Sequence, residues 1–513
     1  MTTLAVASML SEAARWRPDK IAVVDGPLRT SYADLWSQAL GVAGALADLG
    51  VQPGDAVALM CPNVTDFPRC YYGIMAAGGV VVPVHLLLTA DEVTYVLTDS
   101  RAKVLLCHSS QLQVGAGAAA AAGIPVVTTG PLPPEFAASF RRLEDLCAAT
   151  NAPRTFVSRQ AEDPSVVLYT SGTTGRSKGA VLTQLNLVMN ATVGVFDTLD
   201  TRPEDVGLAC LPLFHTFGQT VSMNCSFRVG ATMVMLPRFT GEAAIDRMLA
   251  EDVTVFHGVP TMYIGLLAAA EGRTDLPRLR MCVSGGASLP TPVLHRFEEV
   301  FDTHIYEGYG LSETSPSATT NQPHFGTRPG TVGHPIWGVE VEIARPEVTE
   351  AIEFVPDGEL GEIVIRGHNV FSGYLGRPDA TAAALVDGWF RTGDLGRKDD
   401  DGFVTIVDRV KDVVIRGGFN VYPSEVEEVL ARHPAVAQVA VIGIPDDLHG
   451  EEIMAVVVPR PGVEFPSEDE FLAWGKENLG RHKYPRKLQL AEALPMGPSM
   501  KVLKRELRRT YTG

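Results

Sequence analysis

The stretch Tyr169-Thr-Ser-Gly-Thr-Thr-Gly-Arg-Ser-Lys-Gly179 is a loop rich in glycine and hydroxyl side chains, and it follows the apolar run Val166-Val167-Leu168. Glycines let backbone N–H groups approach a polyphosphate, and serine and threonine hydroxyls donate to its oxygens. The candidate phosphate ligands are Thr170, Ser171, Gly172, Thr173, Thr174 and Lys178. No Gly-Lys-Ser/Thr triplet closes the loop, which excludes a Walker A motif. The pattern predicts a phosphate-binding loop that directly follows a β-strand.

Short apolar runs alternate with helical patterns along most of the chain. The predicted strands are Lys20–Val24, Ala56–Met60, Val80–Val84, Val104–Cys107, Val253–His257, Arg280–Val283 and His304–Tyr306. Predicted helices begin after Ser31, include Tyr71–Ala77, and begin again after Thr89. This alternation favours parallel, doubly wound sheets, in which ligands bind at the strand-end loops.

The overall composition excludes several classes of protein. A chain of 513 residues is longer than one hydrophobic core usually supports, so at least two domains are expected. With 46% hydrophobic and 20% charged residues, the chain is typical of a globular protein and not of a disordered or fibrous one. The net charge of -17 disfavours nucleic acid and anionic membranes as partners, because both attract basic proteins.

The cysteines and the apolar runs indicate where the protein works. The seven cysteines show no paired spacing typical of a zinc site or a dithiol redox centre. A short apolar patch at Leu4–Leu10 is followed at once by Glu12, Arg15 and Arg17, and no apolar run reaches the length of a membrane span. We therefore expect no integral membrane segment and a reducing, cytoplasmic environment.

The composition changes near Lys398–Arg416, where charged residues crowd a stretch containing Asp399-Asp400-Asp401-Gly402. On its own this pattern indicates a hairpin turn followed by a solvated strand. The predicted elements beyond it are the helices Ser424–Ala431 and Asp469–Asn478 and the strands Val439–Ile442 and Met454–Val458. They predict a small, separate α/β domain.

Further motifs follow the phosphate loop in order. They are Leu211-Pro-Leu-Phe-His-Thr-Phe-Gly218, Gly308-Tyr-Gly-Leu-Ser-Glu-Thr314, Gly361-Glu-Ile-Val-Ile-Arg-Gly367, Arg391-Thr-Gly-Asp-Leu395, Asp408-Arg-Val-Lys-Asp412 and Lys501. Together with the loop, they resemble the signature of the acyl-adenylate-forming superfamily, which includes acyl-CoA synthetases, the adenylation domains of peptide synthetases and firefly luciferase. The resemblance spans nearly the whole chain.

The resemblance implies an α/β fold with a large N-terminal domain of doubly wound sheets, a β-barrel-like subdomain, and a small mobile α+β C-terminal domain. The implied boundaries are 1–408 for the large domain, 409–412 for a hinge and 413–513 for the small domain. The implied reaction has two halves: a carboxylate attacks the α-phosphorus of ATP and pyrophosphate leaves, and the acyl-adenylate then acylates CoA. ATP, Mg²⁺ and CoA are the implied cofactors.

The resemblance also assigns the nucleotide ligands. The implied set is Gly286, Ala287, Glu307, Tyr309, Gly310, Ser312, Asp394 and Arg409. Tyr309 would stack on adenine, and Asp394 would accept both ribose hydroxyls with Arg409 in support. Taken singly, Tyr309 is also consistent with a core tyrosine, and Asp394 and Arg409 are consistent with a turn aspartate and a surface arginine.

The implied catalytic residues are Lys501, Glu313, Thr170 and His215. Lys501 would bridge the substrate carboxylate and the α-phosphate, and Glu313 with Thr170 would hold Mg²⁺, a hard cation that prefers oxygen ligands. His215 would line the acyl pocket as a binding residue, not a base; alone it is equally consistent with a core histidine. Met500 stands where relatives usually carry glycine before the lysine, so we expect a strained or rearranged loop there.

The small domain is implied to rotate between the two half-reactions. Lys411 matches the hinge position, and Gly417-Gly418 would approach the active site in the second half-reaction and let the pantetheine arm of CoA pass. Alternation of this kind keeps the reactive adenylate away from water.

The residues near the expected acyl pocket bear on the identity of the acid. Gly308 stands where malonate-activating relatives carry arginine, so a dicarboxylic acid is disfavoured. Small residues near the expected pocket favour a medium- or long-chain fatty acid, and a hydroxycinnamate-type aromatic acid is the alternative. Two further alternatives stay open: an adenylating enzyme that loads a carrier protein, and a non-catalytic ATP-binding module. The sequence does not decide the oligomeric state.

Overall fold

The computed structural model describes residues 3–132, 136, 139–170, 176–496 and 502–512. The chain divides into a large unit, Met1–Val341 with Ile365–Phe390, and a small unit, Glu342–Val364 with Arg391–Gly513. The boundary between the units therefore passes through three strands. A hinge at 409–412 and domains at 1–408 and 413–513 stay predictions.

Helices and strands alternate along most of the described residues. The helices are α1 (Ala7–Trp16), α2 (Tyr32–Asp48), α3 (Asp66–Ala76), α4 (Ala90–Asp99), α5 (Leu112–Ala122), α6 (Leu143–Ala149), α7 (Gln184–Val193), α8 (Cys225–Val229), α9 (Gly241–Ala250), α10 (Pro260–Ala270), α11 (Thr291–Phe301), α12 (Pro378–Ala384), α13 (Pro423–Leu430), α14 (Glu468–Asn478) and α15 (Lys504–Thr512). Two π-helical segments are Gly194–Thr198 and Phe217–Asn224, and two 3₁₀ turns are Ser109–Gln111 and Ser312–Thr314. The strands are β1 (Ile21–Asp25), β2 (Leu28–Ser31), β3 (Ala56–Met60), β4 (Val80–Pro83), β5 (Val104–His108), β6 (Val126–Thr129), β7 (Arg141–Arg142), β8 (Pro164–Thr170), β9 (Lys178–Thr183), β10 (Val206–Ala209), β11 (Thr232–Met235), β12 (Val255–Gly258), β13 (Met281–Ser284), β14 (Ile305–Gly310), β15 (Ser317–Thr320), β16 (His334–Pro335), β17 (Val339–Ala344), β18 (Gly361–Gly367), β19 (Gly373–Tyr374), β20 (Leu385–Val386), β21 (Trp389–Lys398), β22 (Val404–Arg409), β23 (Val414–Arg416), β24 (Phe419–Val421), β25 (Val436–Asp446), β26 (Gly450–Pro459) and β27 (Lys487–Leu490).

Two sheets organise the large unit. The first has the order β19-β9-β8-β4-β3-β5-β6-β7 and is parallel from β8 to β7. The second has the order β16-β15-β14-β13-β12-β10-β11-β1-β2 and is parallel from β14 to β1. The central strands are buried, as parallel strands covered on both faces require. The predicted mixed α/β fold with a large N-terminal and a small C-terminal domain is confirmed.

Helix boundaries follow the capping signals in the sequence. The Ser31 side chain accepts from the Asp34 N–H at the start of α2, and Thr89 forms a capping box with Glu92 at the start of α4. The prediction for Tyr71–Ala77 was too short, because α3 already begins at Asp66 and its Pro68 lies in the first turn, where no N–H is needed.

The small unit contains a five-stranded sheet in the order β24-β23-β26-β25, with β27 beside β26. The hairpin of β25 and β26 extends from Val436↔Pro459 to Asp446↔Gly450, well beyond the predicted Val439–Ile442 and Met454–Val458. Continuous antiparallel pairing carries both strands past their apolar centres. The predicted turn at Asp399 is also present: its carboxylate accepts the N–H groups of Asp401 and Phe403 between β21 and β22.

The described residues include no helix that is both long and apolar enough to cross a membrane. All seven cysteines are unpaired thiols, and six of them are buried. Burial raises the pKa of Cys107 to about 12, which keeps that thiol protonated at neutral pH.

Candidate active site

The phosphate loop connects two antiparallel strands, β8 and β9, whose last pair is Thr170↔Lys178. Helix α4 holds both ends of the loop: the Tyr169 hydroxyl donates to Asp99 Oδ2 at 2.9 Å, and the Tyr95 hydroxyl donates to the carbonyl of Ser177 at 2.9 Å. The structure thus places Thr170 and Lys178 side by side at the base of the loop, and their role as phosphate ligands stays a prediction. The candidates Ser171, Gly172, Thr173 and Thr174 lie outside the described residues.

Tyr374 connects two of the predicted phosphate-site residues. Its hydroxyl donates to Glu313 Oε1 at 2.9 Å, and the Lys178 ammonium lies 5.1 Å from the centre of its ring. Burial, followed by the charge of Glu313, raises the pKa of Tyr374, so the phenol stays protonated and keeps donating. Glu313 is buried in the 3₁₀ turn Ser312–Thr314. The Glu313 carboxylate, from the turn after β14, and the Lys178 ammonium, from β9, therefore both contact the Tyr374 side chain.

The residues that the sequence assigns to adenine lie at the ends of β13 and β14. Tyr309 is half-buried near the end of β14, between Gly308 and Gly310. The loop after β13 turns at Gly286, where φ is 84°, and Gly285 N–H donates to the Gly258 carbonyl at 3.3 Å. Gly285 and Gly286 place no side chain of their own at this turn.

The Glu307 side chain on β14 holds the loop after β13 by a hydrogen bond. Its Oε1 accepts the Leu289 N–H at 2.9 Å, while Oε2 is buried without a partner among the described residues. Burial raises the pKa of Glu307 to about 7, although the hydrogen bond from Leu289 opposes the shift. The sequence predicts Glu307 as a nucleotide ligand; within the large unit, its contact is with the loop backbone.

The raised pKa of Glu307 predicts a pH-dependent stability. Its folded-state pKa of about 7 exceeds the ordinary value of 4.5, so the folded state binds the extra proton between these pH values. The stabilisation that this extra proton contributes is therefore fully present below about pH 4.5. It decreases as the pH rises to about 7, and the total loss in the free energy of unfolding is on the order of 3 kcal/mol.

Urea unfolding of the wild type and of Glu307→Gln at about pH 5.5 and about pH 8 tests this expectation. The neutral amide keeps an acceptor for Leu289, so the substitution should gain stability relative to the wild type at the higher pH. A wild-type-minus-variant difference that does not change with pH would contradict the assignment.

A row of side chains on β12, β13 and β14 defines the face below these strand ends. His257, Val283 and Tyr306 are register partners on neighbouring parallel strands, so they point to the same face. Ser222, on the π-helix Phe217–Asn224, lies 3.2 Å from His257 Nδ1. Burial lowers the pKa of His257 to about 4, so the ring is neutral at pH 7. The face carries an imidazole and a phenol on either side of an apolar centre.

The Phe217 ring lies on this face at the end of β13. Its ring lies 3.3 Å from the position that a Cβ on Gly285 would take, and it packs with Tyr306 on the apolar cluster Leu199, Val255, Met281 and Val283. The predicted pocket residue His215 is half-buried just before the π-helix, and its Nδ1 accepts the Phe217 N–H at 3.4 Å. Phe217 and Tyr306 therefore pack on one side of these strands, next to Gly285.

The small unit holds the predicted ribose ligands together. Asp394 and Arg409 are register partners on β21 and β22, and Arg409 Nε lies 3.0 Å from Asp394 Oδ1. The Asp394 side chain is 7% exposed and that of Arg409 is 43% exposed. Burial, followed by the charge of Arg409, lowers the pKa of the predicted hinge residue Lys411. Gly417 and Gly418 form the turn between β23 and β24. Lys501 and Met500 lie outside the described residues.

Comparison with known protein families identifies the family of the chain. A family profile described as "AMP-binding enzyme" matches residues 10–375, and one described as "AMP-binding enzyme C-terminal domain" matches residues 425–501. The chain belongs to the AMP-binding enzyme family. The predicted resemblance to acyl-adenylate-forming enzymes is confirmed.

Three similar proteins narrow the chemistry within the AMP-binding family. A feruloyl-CoA synthase from Amycolatopsis sp is 36% identical over 506 residues, which cover 97% of each chain. A long-chain-fatty-acid–CoA ligase from Bacillus subtilis (strain 168) is 33% identical over 529 residues, which cover 98% of this chain and 93% of its own. A crystal structure of the anthranilate CoA ligase AuaEII in complex with anthranoyl-AMP has a TM-score of 0.91 at 26% identity, and the match covers 99% of this chain and 98% of that one. The chain is an AMP-forming acyl-CoA ligase.

Sequence reasoning missed Tyr374 and the row His257, Val283 and Tyr306. Tyr374 lies 61 residues from Glu313 in the chain, and no local pattern marks it. The row is visible only once the strand register is known, because each of its residues lies on a different strand.

Proposed function

We propose that this acyl-CoA ligase activates aromatic acids of the hydroxycinnamate type and transfers them to CoA. The observation that supports the substrate is the partly polar face on which Phe217, Tyr306 and the buried His257 lie beside the glycines at the ends of β13 and β14. A planar ring packs well against aromatic rings and glycine backbone. A long alkyl chain needs a deep apolar lining and would offer no hydrogen-bond partner to His257 Nε2, which is buried without one among the described residues, or to the half-buried phenol of Tyr306.

In the first half-reaction the chain's residues align charges and move no proton. Lys178 would draw the phosphates towards the hairpin of β8 and β9, and Tyr374 keeps Glu313 oriented by its hydrogen bond. Glu313 with Thr170 would hold Mg²⁺, whose preference for oxygen ligands suits a carboxylate and a hydroxyl. When bound, this ion would neutralise the phosphates during attack by the substrate carboxylate. Tyr309 would stack on the adenine.

The remaining nucleotide and transfer residues are proposed from the small unit. Asp394 would accept the ribose hydroxyls, with Arg409 supporting it through their ion pair. Lys501 would bridge the carboxylate and the α-phosphate and stabilise charge that grows in the transition state. Gly417–Gly418 would then admit the pantetheine arm, so that the thiol attacks the acyl carbonyl and AMP leaves. CoA is the proposed acceptor, and a carrier protein is the alternative.

A panel of acids tests the substrate. Ferulate, p-coumarate, cinnamate, decanoate and palmitate are each offered with ATP and CoA, and acyl-CoA is read by mass spectrometry. We expect kcat/KM for p-coumarate to exceed that for cinnamate and for both fatty acids by about tenfold or more, because a buried site built for a hydroxyl rejects analogues that lack it. Faster turnover of decanoate or palmitate would instead support the fatty-acid prediction, which the Bacillus relative favours.

Two matched substitutions test whether Tyr306 determines the preference for a hydroxylated ring. Tyr306→Phe should reduce the preference for p-coumarate over cinnamate, because the removed hydroxyl belongs to the proposed substrate face. Tyr263→Phe removes a hydroxyl from the core cluster on the opposite face of the same sheet and should leave the preference unchanged. A carrier domain offered in parallel with CoA distinguishes the two acceptors.

A further inference from the structure

The Gly417–Gly418 turn has a tightly defined shape. It joins β23 to β24, Arg416 pairs with Phe419 across it, and φ is 55° at Gly417 and 83° at Gly418. Positive φ at both central residues is the pattern of the type I′ hairpin turn, which side chains other than glycine, asparagine and aspartate adopt poorly. Backbone geometry thus fixes the shape of the turn, and its position depends on what holds β23.

Residues at the start of β26 hold the turn by hydrogen bonds. Gly417 N–H donates to the His449 carbonyl at 2.8 Å, and Ile415 N–H donates to the Glu451 carboxylate at 2.7 Å. His449 is itself fixed, because its Nδ1 lies 3.1 Å from Asp446 Oδ1. Hydrogen bonds to the His449 carbonyl, just before β26, and to the Glu451 carboxylate therefore flank Arg416 on both sides.

One ion pair completes this attachment. The Arg416 guanidinium engages both oxygens of Glu452: Nη2 donates to Oε2 at 2.8 Å, and Nε donates to Oε1. The two side chains are only 14% and 8% exposed. Burial by itself raises the pKa of Glu452, but the hydrogen bonds from Arg416 and from Ile453 N–H hold it below its ordinary value. A bidentate pair of this kind constrains direction as well as distance.

We propose that the Arg416–Glu452 ion pair positions the Gly417–Gly418 turn for transfer of the acyl group to CoA. Arg416 and Glu452 are positioning residues that act through the turn. The inference rests on the proposed function, which assigns the passage of the pantetheine arm to this turn. Because that assignment concerns only the second half-reaction, loss of the pair should slow thiolation and spare adenylation.

Glu452→Gln tests the proposal, because the amide keeps the shape of the side chain but loses its charge. Adenylation is measured as acid-dependent ATP–pyrophosphate exchange, and thiolation as CoA-dependent consumption of supplied feruloyl-adenylate or decanoyl-adenylate. We expect thiolation to fall about tenfold or more, since small displacements of a positioning group cost that much, and exchange to change less than about twofold. Arg416→Lys should behave similarly, because an ammonium cannot form two parallel bonds.

The control Glu428→Gln removes a 2.9 Å ion pair with Arg432 that is 67% and 64% exposed in the same unit, and it should alter neither half-reaction. Equal losses of exchange and thiolation in Glu452→Gln, or no loss of either, would overturn the proposal. Gly418→Ala tests the turn itself: if it slows thiolation and Glu452→Gln does not, the turn acts without the ion pair. A wild type that consumes neither adenylate with CoA would contradict the proposed function instead.

Discussion

Replacing Lys501 with alanine is expected to lower the rate of acyl-adenylate formation about 100-fold or more, the scale of removing one charge-stabilising group from a transition state. The lysine is proposed to neutralise charge that develops between the attacking carboxylate and the α-phosphate. Thiolation of supplied acyl-adenylate should stay near the wild-type rate, because the proposed alternation brings a different face of the small domain to the reaction. Pyrophosphate exchange and adenylate consumption measure the two steps separately.

Arg505→Ala is the matched control for this prediction, since it removes a nearby exposed cation from α15. It should leave both half-reactions unchanged, because no role in either step is proposed for it. If Lys501→Ala slowed exchange and thiolation equally, domain alternation would be contradicted. If exchange persisted in Lys501→Ala, another group would have to supply the positive charge.

The sequence predicts the central architecture well because its signals are local. Alternating apolar runs and helical patterns place β3 and β5 within a residue or two of their observed ends, and Ser31 and Thr89 cap helices as predicted. The hairpin that presents Thr170 and Lys178 is likewise encoded in one continuous stretch. Where a boundary depends on tertiary pairing, as in β25 and β26, the sequence prediction was too short.

The site is less predictable because its parts meet only in three dimensions. Tyr374 is on β19 and Glu313 is in the turn after β14, and no local sequence pattern near either residue predicts their hydrogen bond. The Arg416–Glu452 pair arises from the register between β23 and β26 in the same way. A motif predicts the chemical group that a reaction needs, whereas the residue that orients this group depends on the register of neighbouring strands.

Gly310 is the glycine of the nucleotide motif with the least space around it. A Cβ at this position would lie 1.8 Å from the carbonyl oxygen of Pro316 and 2.7 Å from its carbonyl carbon. That oxygen accepts the Thr314 hydroxyl, which fixes it further. Both obstructing atoms belong to the backbone, so no side-chain rotation can relieve the clash.

Gly310→Ala should therefore destabilise the large unit by about 3 kcal/mol or more, at or above the upper range for overpacking a rigid site. It should also lower pyrophosphate exchange, because β14 would move together with Tyr309 and Glu313. Gly117→Ala is the control: a Cβ there has no neighbour within 4 Å, and α5 should become slightly more stable, by about 0.5 to 1 kcal/mol. Urea unfolding followed by tryptophan fluorescence compares the two variants. If the Gly310→Ala protein were as stable and as active as the Gly117→Ala control, the hairpin of β14 and β15 would have to rearrange at little cost. The close approach of Gly310 to the Pro316 carbonyl would then not hold Tyr309 in position.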